Sequence, residues 1–351
     1  MERPNRSYAL LKESTDSCNS AGMNALRTIA GVQRTIPHVL ACCGCNKFFS
    51  TETARKEPEE IKIPVPWGHI AGKWWGRTDI QPVIALHGYE DNAGTFDRLV
   101  PHLNVDGLLA IDFPGHGHSS HFPVGKFYQF VDAVLTLRLI TRHFKWKKVS
   151  LIGHSFGSAT SFAYAATYPE EVDKYVSLDC ARTMMAEIPD VDIKSYQFAD
   201  WIISVEEKMQ ESKPPSYTYE EILKRIYEGS RESPTIDSCK ILLERGAIRV
   251  PHGDEHRYYF SRDPRLRTHV WGRLSFDALI GLAQNVKCYN LSIRGNQGFI
   301  GGIYEEVYMK TLEMMKKNGS TVDHYNVDGT HHLHLNNPER ISHLINKFLL
   351  S

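Results

Sequence analysis

Five residues, Gly153-His154-Ser155-Phe156-Gly157, constrain this chain more than any other stretch. An apolar run, 149–152, leads directly into them, and a segment rich in small residues (Ser158, Ala159, Thr160, Ala163) follows directly. A serine between a strand and a helix needs a turn sharp enough to strain its backbone, and side chains at 153 and 157 would collide with the neighbouring elements, so both are glycine. The turn lifts the hydroxyl into the open at the helix N-terminus, where the helix dipole favours developing negative charge. Ser155 is therefore the candidate nucleophile. His154 is expected to point away from the hydroxyl and to serve structure.

Around this turn, strands and helices alternate. Strands are expected at 61–65 and 69–75, paired around Pro66-Trp67-Gly68, and at 82–86, 108–111, 149–152, 174–178, 288–293 and 320–327. Helices are expected over 127–144, after Ser155 up to Tyr168-Pro169, and near 304–317. A last helix should begin at Asn337-Pro338, with Ile341, Leu344, Ile345 and Phe348 as its apolar stripe. Such alternation implies an α/β fold, a mostly parallel sheet flanked by helices. Residues 182–267 break the rhythm: they are charged, helical in composition and punctuated by Pro214-Pro215, Pro234 and Pro264. They read as an inserted helical cap. The organisation is then an N-terminal extension over 1–60, a core over 61–181 and 268–351, and the cap over 182–267.

Lys+Arg and Asp+Glu are equal at 41 each, so no net field points to nucleic acid or to an anionic membrane, and a small-molecule site is the default. No apolar run reaches the roughly 18–20 residues of a membrane span, so a soluble chain is expected. Seven cysteines, an odd number without a cleavable signal segment, fit a reducing, intracellular compartment. Residues 23–51 hold Arg27, Arg34 and Lys47 and no acidic residue, a composition like a mitochondrial presequence. Glu2, Glu13 and Asp16 break that pattern for a start at Met1, and Met23 would restore it; a tail without an address, in a cytoplasmic protein, is the alternative. Cys42-Cys43-Gly44-Cys45 receives no function, and the sequence is silent on oligomeric state.

A serine nucleophile needs an oxyanion hole and a base. His87-Gly88-Tyr89 ends the strand 82–86, and Gly88 lets the backbone approach a substrate carbonyl, so the expected donors are the N–H groups of Tyr89 and Phe156. His87 is read as a brace of that loop. The segment 328–335 offers three histidines, of which His331, at the tip after Gly329, is the expected base. His332 and His334 are expected to pack or to be solvated. Metal binding competes for the same histidines, but the i, i+4 helical spacing and an accompanying Cys or Asp cluster are missing; no metal is assigned.

Together, H-G-Y at 87–89, D-N-A-G-T-F at 91–96, D-F-P-G-H-G-H-S at 112–119, G-H-S-F-G at 153–157 and the G-T-H-H-L-H-L ending resemble the α/β-hydrolase superfamily, more narrowly its serine hydrolase-like proteins. The resemblance covers about 61–350. It implies the α/β-hydrolase fold, a serine nucleophile and a helical cap over the pocket. One piece departs from it: many members carry the triad acid in a G-x-x-D turn, and here that turn is Gly295-Asn296-Gln297-Gly298. Asp179, at the end of the next parallel strand after the nucleophile, is the expected substitute; Asp323, Asp328 and a missing acid compete with it. Asp112 is read as structural.

The expected function is hydrolysis of an ester or related acyl bond by a Ser155–His331–Asp179 triad through a covalent acyl-enzyme, with no cofactor and an apolar small-molecule acyl substrate. A carbon–carbon bond hydrolase, or a non-catalytic ligand-binding relative, are the alternatives. The apolar and aromatic residues of the insertion, among them Trp201, Ile202, Met209, Tyr219 and Ile222, are expected mainly to pack a cap helix, with His256-Arg257-Tyr258-Tyr259-Phe260 as core or substrate wall.

Overall fold

A computed structural model describes residues 57–180, 195–211, 213–253, 255–268, 274–299 and 303–351. The presequence-like segment, the cysteine cluster near residue 43 and the first part of the insertion lie outside the described residues. The core is an eight-stranded sheet in the order β1-β2-β4-β3-β5-β6-β9-β10. Its strands are β1 (Glu59–Val65), β2 (Gly68–Gly76), β3 (Val83–Leu86), β4 (Gly107–Ile111), β5 (Val149–His154), β6 (Val172–Leu178), β9 (Tyr289–Gln297) and β10 (Val322–Thr330). β1 and β2 pair antiparallel, and β2 joins β4 antiparallel. From β4 to β10 every pairing is parallel, so six strands end at one edge.

The strands read as continuous apolar runs because both faces are covered. Ile84, Leu86, Leu109 and Ile111 pack with Leu137, Phe162 and Tyr164 on one face. Their neighbours Ala85, Leu108 and Ala110 pack with Phe96, Ile345 and Phe348 on the other, as the two-residue period of a strand requires. The first face is covered by α1 (Phe130–His143) and α2 (Phe156–Thr167). α1 opens on a capping box of Gln129 and Asp132.

Between β6 and β9 the described chain forms α3 (Ser195–Glu211), α4 (Tyr219–Gly229) and α5 (Ile236–Gly246), as expected of a helical insertion. It also forms an antiparallel hairpin, β7 (Ala247–His252) with β8 (Glu255–Phe260), that the sequence reading did not anticipate. None of its residues is fully buried, so polar and apolar residues do not alternate cleanly. Ile202 and Ile222 are buried, whereas Trp201, Met209 and Tyr219 stay exposed. Arg245 ties the insertion to the core through a 2.6 Å ion pair from its Nε to Asp112.

After the insertion come α6 (Phe276–Ala283) and α7 (Ile303–Lys317). The C-terminal segment differs in detail from expectation: a short helix α8 (Leu333–Asn336) follows the histidine turn, and Asn337 does not cap with its side chain. Pro338–Arg340 form one 3₁₀ turn, and the final helix, α9, runs Ser342–Leu350. α8 is held where it is because the Asn336 amide donates to the Ser233 carbonyl and Thr330 hydroxyl, at 2.9 and 3.0 Å. Among the described residues no helix is long and apolar enough to cross a membrane.

Candidate active site

Ser155 sits between β5 and α2 with φ +49° and ψ −109°, a left-handed strain that L-residues rarely bear. Its N–H donates to the Leu178 carbonyl at 3.0 Å, and its own carbonyl accepts the Ala159 N–H at 2.9 Å. A Cβ on Gly153 would fall 2.5 Å from Ser158 Cα, and one on Gly157 only 2.0 Å from the Leu86 carbonyl oxygen. Both glycines are thus required by close approach. The first turn of α2 lies directly on the end of β3, which carries residue 156 to the loop 87–89.

His331 follows β10, whose pairing with β9 sets it at the same sheet edge. Its Nδ1 lies 2.5 Å from Asp179 Oδ2. Asp179 itself is fully buried just beyond β6 with φ +54°, and its N–H donates to the Ile293 carbonyl at 2.8 Å. Its other carboxylate oxygen accepts the Gly295 N–H at 2.9 Å. A Cβ on Gly298 would stand 2.4 Å from Asp179 Oδ2. The carboxylate of Asp179 therefore occupies the space into which a side chain at 298 would project. Asp323 is exposed on β10, and Asp328 is exposed and paired with Arg340 at 2.9 Å.

Burial governs the ionisation of the pair. It lowers the His331 imidazolium to about 3, which keeps the ring neutral, and pushes the Asp179 carboxyl up to about 7 against the opposing Gly295 hydrogen bond. With Gly295 and His331 Nδ1 both donating, the geometry serves the carboxylate form and leaves His331 Nε2 as the lone pair. Ser155 and His331 are linked through His154, whose Nε2 donates to the His331 carbonyl at 3.0 Å, with rings 4.7 Å apart. No direct hydrogen bond between the Ser155 hydroxyl and His331 is formed among the described residues. Such bonds often tighten only with substrate in place.

The loop after β3 is braced by His87, as expected. Its Nδ1 donates to the Gly88 carbonyl at 2.6 Å and its Nε2 accepts the Phe113 N–H at 2.9 Å. Burial holds this ring neutral, lowered to about 4. Tyr89 anchors the loop to the insertion by donating its hydroxyl to the Leu266 carbonyl. The rings of Tyr89 and Phe156 meet at 5.8 Å, and both line an almost wholly apolar cleft with Phe113, Phe122, Tyr128 and Phe130. That cleft is narrow and partly open to solvent. Asp112 accepts the Ala93 and His118 N–H groups at 2.8 Å each, besides pairing with Arg245, and is structural.

A second polar cluster behind this edge escaped the sequence reading. Asp91 Oδ2 lies 3.4 Å from His154 Nδ1 and 3.4 Å from His332 Nε2. His332 Nδ1 meets the Ser233 hydroxyl at 2.9 Å. Burial would raise the Asp91 carboxyl, but the facing His332 overcomes it and holds Asp91 well below the usual range. His332 and His334 are buried, not solvated; His334 Nε2 meets the Thr95 hydroxyl at 2.9 Å. Asp91 and Ser233 come from two separate loops, so no local spacing announced them.

Comparisons with known proteins identify the fold and the family. Residues 81–202 match the family model described as alpha/beta hydrolase fold. A probable serine hydrolase of Drosophila melanogaster is 39% identical over 83% of this chain and 87% of its own length. A serine hydrolase-like protein of Danio rerio is 34% identical over 86% and 92%. Among solved structures, a hypothetical protein of Pseudomonas aeruginosa superposes with a TM-score of 0.68 at 27% identity, over 83% of this chain and 98% of that one. With a strained serine between strand and helix, a histidine turn after the last strand and relatives that span nearly the whole core, the chain belongs to the α/β-hydrolase superfamily, in its serine hydrolase-like group.

Proposed function

We propose that this chain hydrolyses an ester or related acyl bond through a covalent acyl-enzyme, with Ser155 as nucleophile, His331 as base and Asp179 as the acid that orients it. Ser155 Oγ adds to the substrate carbonyl carbon while His331 Nε2 takes the hydroxyl proton. The N–H groups of Tyr89 and Phe156 receive the oxyanion. As the tetrahedral intermediate collapses, the bond to the leaving group breaks and His331 returns the proton to it. Water then repeats the sequence on the acyl-serine and frees the acid. Asp179 keeps the proton of neutral His331 on Nδ1 and stabilises the imidazolium that forms in each half-reaction.

The observation that carries this reading is the 2.5 Å contact of His331 with a buried carboxylate at the edge where Ser155 is strained. The aromatic cleft beside Tyr89 and Phe156 favours an apolar acyl group. We take 61–181 and 268–351 as the catalytic core, 182–267 as the cap and 1–60 as an extension. The finer resemblance within the group is to the insect protein Kraken. The protein is placed inside the cell, in mitochondria if residues 23–51 serve as a presequence and in the cytoplasm otherwise. The test is a series of p-nitrophenyl esters of rising chain length, assayed with the full chain. Turnover with a preference for a medium or long acyl chain is expected; rates no higher than buffer across the series would contradict the reading.

A further inference from the structure

We propose that Asp91, His154 and His332 form a binding site for a divalent late transition-metal ion, immediately behind the His331 loop. The three side chains are 5%, 1% and 4% exposed, and they offer one carboxylate oxygen and two imidazole nitrogens within 4.8 Å of one another. A tetrahedral ion with bonds of about 2.0–2.1 Å separates its donor atoms by about 3.3 Å. Asp91 Oδ2 stands 3.4 Å from each imidazole nitrogen.

The outer hydrogen bonds point the same way. A metal-bound histidine normally engages an oxygen partner through its other nitrogen, which fixes the tautomer and aims the ring. His154 does so through Nε2 with the His331 carbonyl, and His332 through Nδ1 with the Ser233 hydroxyl. In each ring the remaining nitrogen is the one turned to Asp91. For His154 this is costly without a cation. Because Nε2 donates to a carbonyl, Nδ1 of the neutral ring is a bare lone pair, buried without a hydrogen-bond partner and facing a carboxylate oxygen.

Space is present as well. A Cβ on Gly88 would lie 2.7 Å from His154 Nδ1 and 3.0 Å from Asp91 Oδ2, so glycine keeps that side of the pair open. Two imidazoles and a carboxylate suit Zn²⁺ and its neighbours better than Mg²⁺ or Ca²⁺. The His331 ring centroid is 4.7 Å from that of His154 and 5.4 Å from that of His332.

Titration calorimetry of the full chain with Zn²⁺ tests the site. Wild type should bind one equivalent, Ser155→Ala and His331→Gln should bind equally well, and Asp91→Asn and His332→Gln should each lose about 100-fold in affinity. No binding to wild type, or binding lost in His331→Gln and kept in the other two, overturns the site. If Asp91→Asn and His332→Gln fail to fold, X-ray absorption on Zn²⁺-loaded wild type decides: two imidazoles and an oxygen support the site, and any other shell overturns it.

Discussion

His331 and His332 are neighbours in sequence, yet their ring planes stand at 90° and their partners lie in different parts of the fold. One ring faces Asp179 at 2.5 Å; the other faces Asp91 at 3.4 Å and Ser233 at 2.9 Å. Each histidine thus faces an aspartate, and each set has a serine at the same edge: Ser233 in contact with His332, and Ser155 on the elbow after β5. Residue types alone do not separate the two sets. What separates them is the serine. Ser155 is partly exposed on a strained elbow, with two candidate oxyanion donors at the same sheet edge. Ser233 is 6% exposed, and its hydroxyl already accepts the His332 backbone N–H at 3.0 Å. Its carbonyl receives Thr330 and Asn336 as well. One set holds the serine we propose as nucleophile, and the other fastens the insertion to the histidine turn.

The largest expected effect tests this division directly. Ser155→Ala should lower kcat by about a million-fold with an unchanged melting temperature. Ser233→Ala should lower it less than about tenfold and cost about 1 kcal/mol of stability, read by denaturant unfolding. Comparable losses in the two variants would erase the distinction.

Next in size is the acid. Asp179→Asn should reduce kcat about ten-thousand-fold with the fold intact, since the wrong His331 tautomer is then favoured. Gly298→Ala puts a methyl group into the carboxylate and should cost about 100-fold through misplacement of Asp179. If the two positions share one space, Asp179→Gly with Gly298→Asp should recover part of the activity that Asp179→Gly alone loses. Steady-state kinetics on one ester reads all three.

The smallest effect is in pH. Hydrolysis needs His331 unprotonated, so the rate holds above its pKa and falls as pH drops through it. Burial lowers that pKa from 6.5 to about 3 but pushes the Asp179 carboxyl, which must be ionised as well, up to about 7, so the acidic limb of kcat/KM should follow Asp179 near pH 7 and move to lower pH in Asp179→Asn. A limb that stays in place in Asp179→Asn would assign it to His331 instead.

Much of this edge was legible in the sequence because its determinants are local. The elbow needs two glycines and a serine in five residues, and the strand before it is apolar because both its faces are covered. The contact of Asp179 with His331 was foreseeable for a topological reason: parallel strands end at one edge, so an acid after β6 is within reach of a histidine after β10. The Asp91 cluster was not, since its side chains meet only when the loop after β3, the end of β5 and the histidine turn converge. The β7–β8 hairpin escaped for a different reason. Residues such as Arg249 and Arg257 sit on a half-wet ribbon where side-chain alternation carries little burial signal.

The central claim is that Ser155, and not Ser233, is the nucleophile. A fluorophosphonate probe reacted with the folded full chain, followed by peptide mapping, tests it most directly. The account predicts a single adduct on Ser155, absent in Ser155→Ala; an adduct on Ser233, or folded wild-type protein with no adduct at Ser155, would contradict it.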